Sequence, residues 1–282
     1  MSWKGSIFIF PKRVLFVGKA DETIEHSIHA LKLCIAFNGK FRLSIGSKSS
    51  LQSALIIDAQ TKHSIDAREP ELIVLLYLIP ETDESRELQH TYFAKSNVYE
   101  IPDKIANGLL SRIGELRDHS KWDCEKDAHK VCEKILEDLI DSPSTSLSKE
   151  KVDTQVRDII KYLYSEIEKQ RKEPKFDEKR IKSLAIIEEL KLHKYGYNVR
   201  GVLKEEFMGQ TGVSLDDYSD MLRLKAALGV FDVDPTVRSV TAAAKVVGFS
   251  VSKLERVFQE CLGINPSELK RRGNVFSRCN ED

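Results

Sequence analysis

The spacing of apolar residues changes partway along this chain, and the change constrains the fold more than any other feature. From Ser6 to about Leu78 the apolar residues form short runs separated by turn residues, a pattern typical of strands in a sandwich or barrel. From Pro102 to Ile140 they recur every three or four positions, as on amphipathic helices, and after Glu150 the pattern stays helical. The sequence therefore predicts an α+β protein with a β-rich N-terminal part and an all-α C-terminal part.

The best linker is the Ser/Pro-rich stretch Asp141–Ser148, and the 282 residues are enough for two separate cores. We place a sheet domain at 1–100, a helical element and linker at 101–148, and a helical domain at 149–282. Within the sheet domain, Asn38-Gly39 predicts a β-hairpin between LKLCIAF and KFRLSI, because a type I′ turn needs two residues that tolerate positive φ.

Composition excludes several classes of protein. The 44 basic and 44 acidic residues cancel, so net charge does not by itself indicate a nucleic-acid partner. No apolar run approaches the roughly 18 residues that cross a bilayer, so we expect a cytoplasmic protein without a membrane partner. The cysteines lack paired CxxC spacing, which argues against a disulfide framework and against a zinc ribbon. We expect no cofactor.

The segment from Ser239 to Arg272 carries most of the functional information. Three small residues at 242–244 let a second helix approach closely, Gly248 permits a sharp turn, and the next helix turns apolar residues inward. This is a helix-turn-helix pattern, and side chains that can read base edges or hold phosphates lie on the exposed side of its second helix. We predict DNA contacts there from Ser252, Lys253, Arg256 and Gln259.

In its order of residues this segment resembles the second helix-turn-helix of the AraC/XylS family of transcription regulators. The matching positions are Val240, Ala244, Gly248-Phe249, Leu254, Arg256, Phe258, Gly263, Pro266, Leu269 and Lys270-Arg271-Arg272. The resemblance implies a C-terminal domain with two helix-turn-helix units. The basic residues Lys270, Arg271 and Arg272 would then contact DNA phosphates.

Upstream, the sequence is similar to the family's first helix-turn-helix and connecting helix. The matching stretches are Leu203, Phe207, Thr211–Ser214, Tyr218 and Leu222–Ala227. Arg200 and Lys204 are the candidate DNA contacts of this unit. Gly201 lowers its helix stability and Glu205 and Glu206 repel phosphates, so we expect it to read less sequence than the second unit.

The N-terminal part resembles the family's cupin-like β-barrel. The similarity lies in His26–Ala30, Asn38–Leu43, Ala54–Ile57, Thr61–His63 and Leu75–Leu78. It implies an effector or sensor domain with effector contacts at His26, His29, His63 and Arg42. A catalytic metal is not expected, because the spacing is His-x-x-His and not the His-x-His of cupin enzymes.

These observations predict a transcription regulator that binds double-stranded promoter DNA and is not an enzyme. We expect a homodimer formed through the barrels or the middle helices, with a small-molecule effector and RNA polymerase as further candidate partners. Two alternatives stay open: a metal-dependent cupin enzyme with a helical accessory domain, and a co-regulator that keeps the fold without binding DNA.

Overall fold

The structure, a computed structural model, describes residues 3–93, 96–114, 122–140, 154–173, 175–182, 186, 190, 199–233, 239–270 and 275–278. The chain divides into two compact units, one of Met1–Ser148 with Phe258–Asp282 and the other of Lys149–Val257. The first unit contains the sheets, and the second is helical.

The described residues form ten strands and nine α-helices. The strands are β1 Lys4–Ile9, β2 Arg13–Lys19, β3 Leu31–Phe37, β4 Phe41–Ile45, β5 Lys48–Gln52, β6 Ala54–Ile57, β7 Ser64–Asp66, β8 Leu72–Leu78, β9 Val98–Glu100 and β10 Val275–Arg278. The helices are α1 Asp83–Tyr92, α2 Asp103–Gly114, α3 His129–Ile140, α4 Thr154–Gln170, α5 Val199–Thr211, α6 Leu215–Val233, α7 Val240–Val246, α8 Val251–Leu262 and α9 Pro266–Lys270. The described residues also include a π-helical turn, Cys124–Ala128, and a 3₁₀ turn, Glu178–Ile181.

The larger sheet has seven strands in the order β10-β1-β2-β8-β3-β6-β9. All its pairs are antiparallel except β10 with β1, which is parallel. Strand β8, LIVLLYL, lies between β2 and β3 with six of its seven residues buried. Its continuous apolar run fits a strand covered on both faces.

The smaller sheet has the order β5-β4-β7, and both sheets are open. The α+β class is confirmed, although the described strands do not close into a barrel. Among the described residues, the edge strands are β10 and β9 in the larger sheet and β5 and β7 in the smaller one.

The hairpin prediction at Asn38-Gly39 is wrong. Both residues have positive φ, 51° and 141°, as a tight turn requires. However, β3 pairs with β6 and β8, whereas β4 pairs with β5 and β7, so the turn connects two sheets. At Gly39 a Cβ atom would lie 2.8 Å from the Cα of Pro70, so this turn also packs against the approach to β8.

The two helices expected between Pro102 and Ile140 are present as α2 and α3. Their buried residues join those of the larger sheet in one hydrophobic core. In α3 these residues are Val131, Cys132, Ile135, Leu136 and Leu139. The apolar stripe of α3 is therefore used within the first unit, and a dimer contact through this helix would have to use its polar side.

In the helical unit, α4, α5 and α6 pack against one another, and α7 packs against α6. Phe207 of α5 and Tyr218 of α6 are fully buried with ring centroids 5.3 Å apart. Ser214 starts α6, because its hydroxyl accepts the backbone N–H of Asp217 at 3.1 Å. No helix in the described ranges is long and apolar enough to span a bilayer.

Candidate nucleic-acid interface and buried lysine cluster

The predicted second helix-turn-helix consists of α7, a short turn and α8. Ser239 caps α7, since its hydroxyl accepts the backbone N–H of Ala242 at 2.9 Å. Gly248 has a φ of 67°, and a Cβ atom at this position would collide with the ring of Phe176. The turn therefore requires glycine for both its backbone conformation and its packing.

Helix α8 keeps one side buried and the other open. Leu254 and Phe258 are fully buried, as the sequence pattern predicted for the inward side. Ser252 and Arg256 are exposed. Because they are four residues apart, Ser252 and Arg256 lie on the same face of α8. This face therefore presents a hydroxyl and a guanidinium, which are groups that can contact DNA bases and phosphates.

The other two candidates on α8 are half-buried and make contacts inside the protein. The Lys253 ammonium lies 3.1 Å from Asp220 Oδ1 and 4.6 Å from the centroid of the Phe249 ring. The Gln259 amide donates a 2.7 Å hydrogen bond to Asn265 Oδ1. DNA contact by either side chain would need these bonds to be exchanged.

Arg223 of α6 fixes the turn between α7 and α8. Its Nε and Nη2 donate 2.8 Å hydrogen bonds to the carbonyls of Val247 and Gly248. Its guanidinium lies 3.8 Å from the centroid of the Phe249 ring, a cation–π distance. Because Val247, Gly248 and Phe249 lie in the turn before α8, these contacts connect the start of α8 to α6.

Two carboxylates complete the surroundings of Arg223, which is only 3% exposed. Nη2 donates to Glu178 Oε1 at 2.7 Å, and Nη1 to Asp220 Oδ1 at 3.3 Å. Burial lowers the pKa of the guanidinium, and the two carboxylates oppose that shift. An arginine stays charged under such conditions, so all four bonds are charge-assisted.

The first helix-turn-helix is described in part. Leu203 and Phe207 of α5 are buried, as the family pattern implies, and the helix continues through Gly201. Lys204 pairs with Asp216 at 3.4 Å. The side chain of Arg200 lies outside the described part.

The side chains predicted to contact phosphates after α8 lie outside the described part of the chain. Lys270 ends α9, but its side chain is outside the description, as are Arg271 and Arg272. The role of all three residues stays a prediction.

In the N-terminal unit the structure brings together two of the four candidate effector residues, around a lysine that the sequence analysis missed. The Nζ atom of Lys32 lies 3.3 Å from His26 Nε2 and 3.2 Å from His63 Nε2. Lys32 is 0% exposed, and its Nζ lies 5.5 Å from the centroid of the Tyr77 ring. A lysine in the middle of the apolar run LKLCIAF was the signal that could have found it.

The histidine tautomers follow from their backbone partners. The Nδ1 atoms of His26 and His63 face the carbonyls of Ile24 at 2.9 Å and Thr61 at 2.7 Å, so both must donate. Each neutral ring then presents the lone pair of Nε2 to the Lys32 ammonium.

Burial and the nearby ammonium both disfavour a second positive charge in this cluster. Burial first, then Lys32, lower the pKa of His26 to about 2 and that of His63 to about 3. Burial lowers the pKa of Lys32 to about 8. At neutral pH the cluster is a cation held by two neutral imidazoles.

The other two effector candidates have different surroundings. His29 is half-buried, and Arg42 is exposed on β4 opposite Asp66. The Nε2 atoms that would bind a metal face an ammonium instead. Among the described residues, no group of three or more His, Cys, Asp or Glu side chains is arranged to hold a metal ion.

No protein-family model and no curated protein matches the sequence. Solved structures do match it, at low identity but over nearly the whole length. ToxT from Vibrio cholerae O395 is 14% identical with a TM-score of 0.52, covering 92% of this chain and 97% of that chain. An apo ToxT variant from Vibrio cholerae strain SCE256 is 16% identical with a TM-score of 0.53, covering 92% of this chain and 97% of that chain. Wild-type ToxT of that strain with an unsaturated fatty acid bound is 15% identical with a TM-score of 0.50, covering 96% of this chain and 97% of that chain.

ToxT is an AraC-family regulator with an N-terminal cupin-like domain and a C-terminal helix-turn-helix domain. This chain shares the fold of ToxT. The fold that the sequence resemblance implied is thus confirmed. These structural neighbours are transcription regulators and not enzymes.

The buried histidines of this chain predict a loss of stability in mild acid. In the unfolded chain a histidine binds a proton below its usual pKa of 6.5, whereas the folded chain keeps His26 and His63 neutral until about pH 2 to 3. The free energy of unfolding therefore falls as the pH drops below 6.5, by up to about 1.4 kcal/mol per pH unit for each histidine. Urea unfolding between about pH 7 and pH 5 measures this slope.

His63→Gln removes one of the two titrating groups and should flatten the slope relative to the native chain. His90→Gln, at an exposed position on α1, is the control and should leave the slope unchanged. Equal slopes in all three proteins would contradict the burial of neutral His63.

Proposed function

We propose that this chain is a transcription regulator that binds promoter DNA sequence-specifically through α8. The observation that carries the proposal is the open face of α8, where Ser252 and Arg256 are exposed on a helix whose start Arg223 fixes to α6. A helix held at its start and open along one polar face suits insertion into a major groove. Arg256 is the candidate for a bidentate contact with guanine, and Ser252 for a phosphate or base contact.

The remaining DNA candidates keep secondary roles in this proposal. Lys253 and Gln259 contact DNA after exchanging their internal partners, and Lys204 does so after leaving Asp216. Arg200, Lys270, Arg271 and Arg272 would add phosphate contacts. Each such contact releases counterions, so binding should weaken as salt rises.

We further propose a homodimer that works in the cytoplasm and contacts RNA polymerase at promoters. In this arrangement residues 1–100 form the sensor, 101–148 the helical dimerisation element and linker, and 149–282 the DNA-binding domain. Because the apolar stripe of α3 is buried within its own unit, we expect the dimer contact to lie on polar helix surface or on the sheets.

Replacing Arg256 tests the proposal. Arg256→Ala should weaken binding to the genomic fragment that the native chain binds most tightly by about 1–3 kcal/mol, roughly 5- to 150-fold. Gel-shift titration gives the dissociation constants. Arg157→Ala, at an exposed position of α4, is the control for loss of a surface arginine.

An unchanged dissociation constant for Arg256→Ala would contradict the assignment of α8. If the native chain bound no duplex at low salt, the co-regulator alternative would replace it.

We also propose that the effector carries a carboxylate and binds at Lys32. No ion pair of the described residues involves Lys32, although its ammonium is fully buried. A buried cation without an anion is costly, and a carboxylate would supply the missing charge. One neighbour with the same fold was solved with an unsaturated fatty acid bound, and such a ligand combines a carboxylate with an apolar tail.

Contacts within the same unit connect this cluster to the end of α8. The backbone N–H of Ile24, two residues before His26, donates to the carbonyl of Gly263 at 3.1 Å. Gly263 has a φ of 68°, and a Cβ atom there would lie 2.5 Å from His26 Nδ1. A ligand that displaces His26 from Lys32 would therefore act on the residue that follows the DNA-reading helix.

Thermal denaturation with oleate tests this site. A ligand that binds only the folded chain raises the melting temperature, by an amount that grows with its concentration. We expect oleate to do so for the native chain and for Lys40→Met, an exposed control, but not for Lys32→Met. An equal rise in all three proteins would contradict a site at Lys32.

A further inference from the structure

We infer that Asp220 is a specificity-determining residue, because it holds Lys253 away from DNA phosphates until a target sequence is engaged. The inference rests on the proposed function, since it assumes that α8 faces DNA. It concerns α6, which was expected only to connect the two helix-turn-helix units.

The geometry joins one cation of α8 to one anion of α6. Lys253 Nζ lies 3.1 Å from Asp220 Oδ1, and the two side chains are 31% and 26% exposed. Lys253 also lies over the ring of Phe249, which is in the turn that Arg223 fixes. The ammonium is thus held on the protein side of α8, beside the exposed Ser252.

Asp220 offsets the charge of Lys253 within the pair. Around the pair, Arg223 contacts both Asp220 and Glu178, and Lys182 also faces Glu178. As long as Lys253 stays with Asp220, a DNA phosphate gains no net positive charge from this pair. Random DNA should therefore release about one counterion fewer than it would if Lys253 also contacted a phosphate.

The pair can be exchanged without leaving a carboxylate unpartnered. Arg223 Nη1 lies 3.3 Å from the same Oδ1 atom of Asp220, so Asp220 keeps a cationic partner when Lys253 leaves. A duplex seated by the base contacts of Arg256 would bring a phosphate near Lys253 and take over its ammonium. Only a correctly seated duplex gains this contact, which widens the ratio of specific to non-specific affinity.

Asp220→Asn tests the inference on the full chain. Freed from Asp220, Lys253 should add one phosphate contact to random DNA. The slope of log affinity against log salt should steepen by about 0.9, and the gain over the native chain at about 0.1 M salt should be roughly eightfold relative to about 1 M salt. The probe is a fluorescent duplex of random sequence, read by anisotropy between about 50 and 200 mM salt.

The same change should do nothing when Lys253 is absent. In a Lys253→Gln background, Asp220→Asn should leave slope and affinity as they are, because Asp220 acts through Lys253. Asp158→Asn removes the same charge from an exposed position on α4 and should also leave the slope unchanged. A residue that merely stabilised the fold would weaken binding when replaced and would not steepen the slope.

Lys253→Gln alone gives a second test if Asp220→Asn fails to fold. We expect it to leave the salt slope on random DNA unchanged, because Lys253 makes no phosphate contact there. A slope shallower by about 0.9 would overturn the inference. So would unchanged or weaker binding by folded Asp220→Asn, or an equal gain in the double variant. Absence of any salt-dependent duplex binding by the native chain would instead contradict the proposed function, and the inference with it.

Discussion

The guanidinium of Arg223 is the interaction on which the geometry of the helical unit depends. It is buried, yet its hydrogen bonds go to two backbone carbonyls of the turn before α8 and to two carboxylates. A buried charge is tolerated when its donors are satisfied in this way, and loss of one acceptor leaves a buried N–H of the guanidinium unpaired. Arg223 thereby fixes the turn from which α8 starts, and the burial of Leu254 and Phe258 leaves Ser252 and Arg256 on the exposed side of that helix.

The N-terminal unit contains a second buried cation whose surroundings are of the opposite kind. Lys32 is held by two neutral imidazoles, and none of its partners among the described residues carries a negative charge. The charge of Arg223 is thus balanced by carboxylates of the protein, whereas an added anion would stabilise the buried charge of Lys32. The contrast explains why we assign a fixed structural role to one cation and a ligand site to the other.

Local patterns predicted most elements and few of their long-range partners. Apolar runs located every strand up to Leu78 except β5, whose sequence KSSLQ is mostly polar, and three-and-four spacing located α2 and α3. The positive φ values at Asn38 and Gly39 could be predicted from these residue types. The pairing of β3 with β8, however, depends on residues distant in the sequence. The pairing of β10 with β1 and the contact of Asp220 with Lys253 join distant segments, so spacing alone could not reveal them.

The central claim is that this chain reads a DNA sequence, and capture of genomic fragments by the purified full-length chain tests it most directly. We predict that enriched fragments share one motif, with two half-sites about one helical turn apart for two recognition helices. The Arg256→Ala chain should fail to enrich that motif. Enrichment of fragments without any common sequence, or no enrichment above a protein-free control, would contradict the claim.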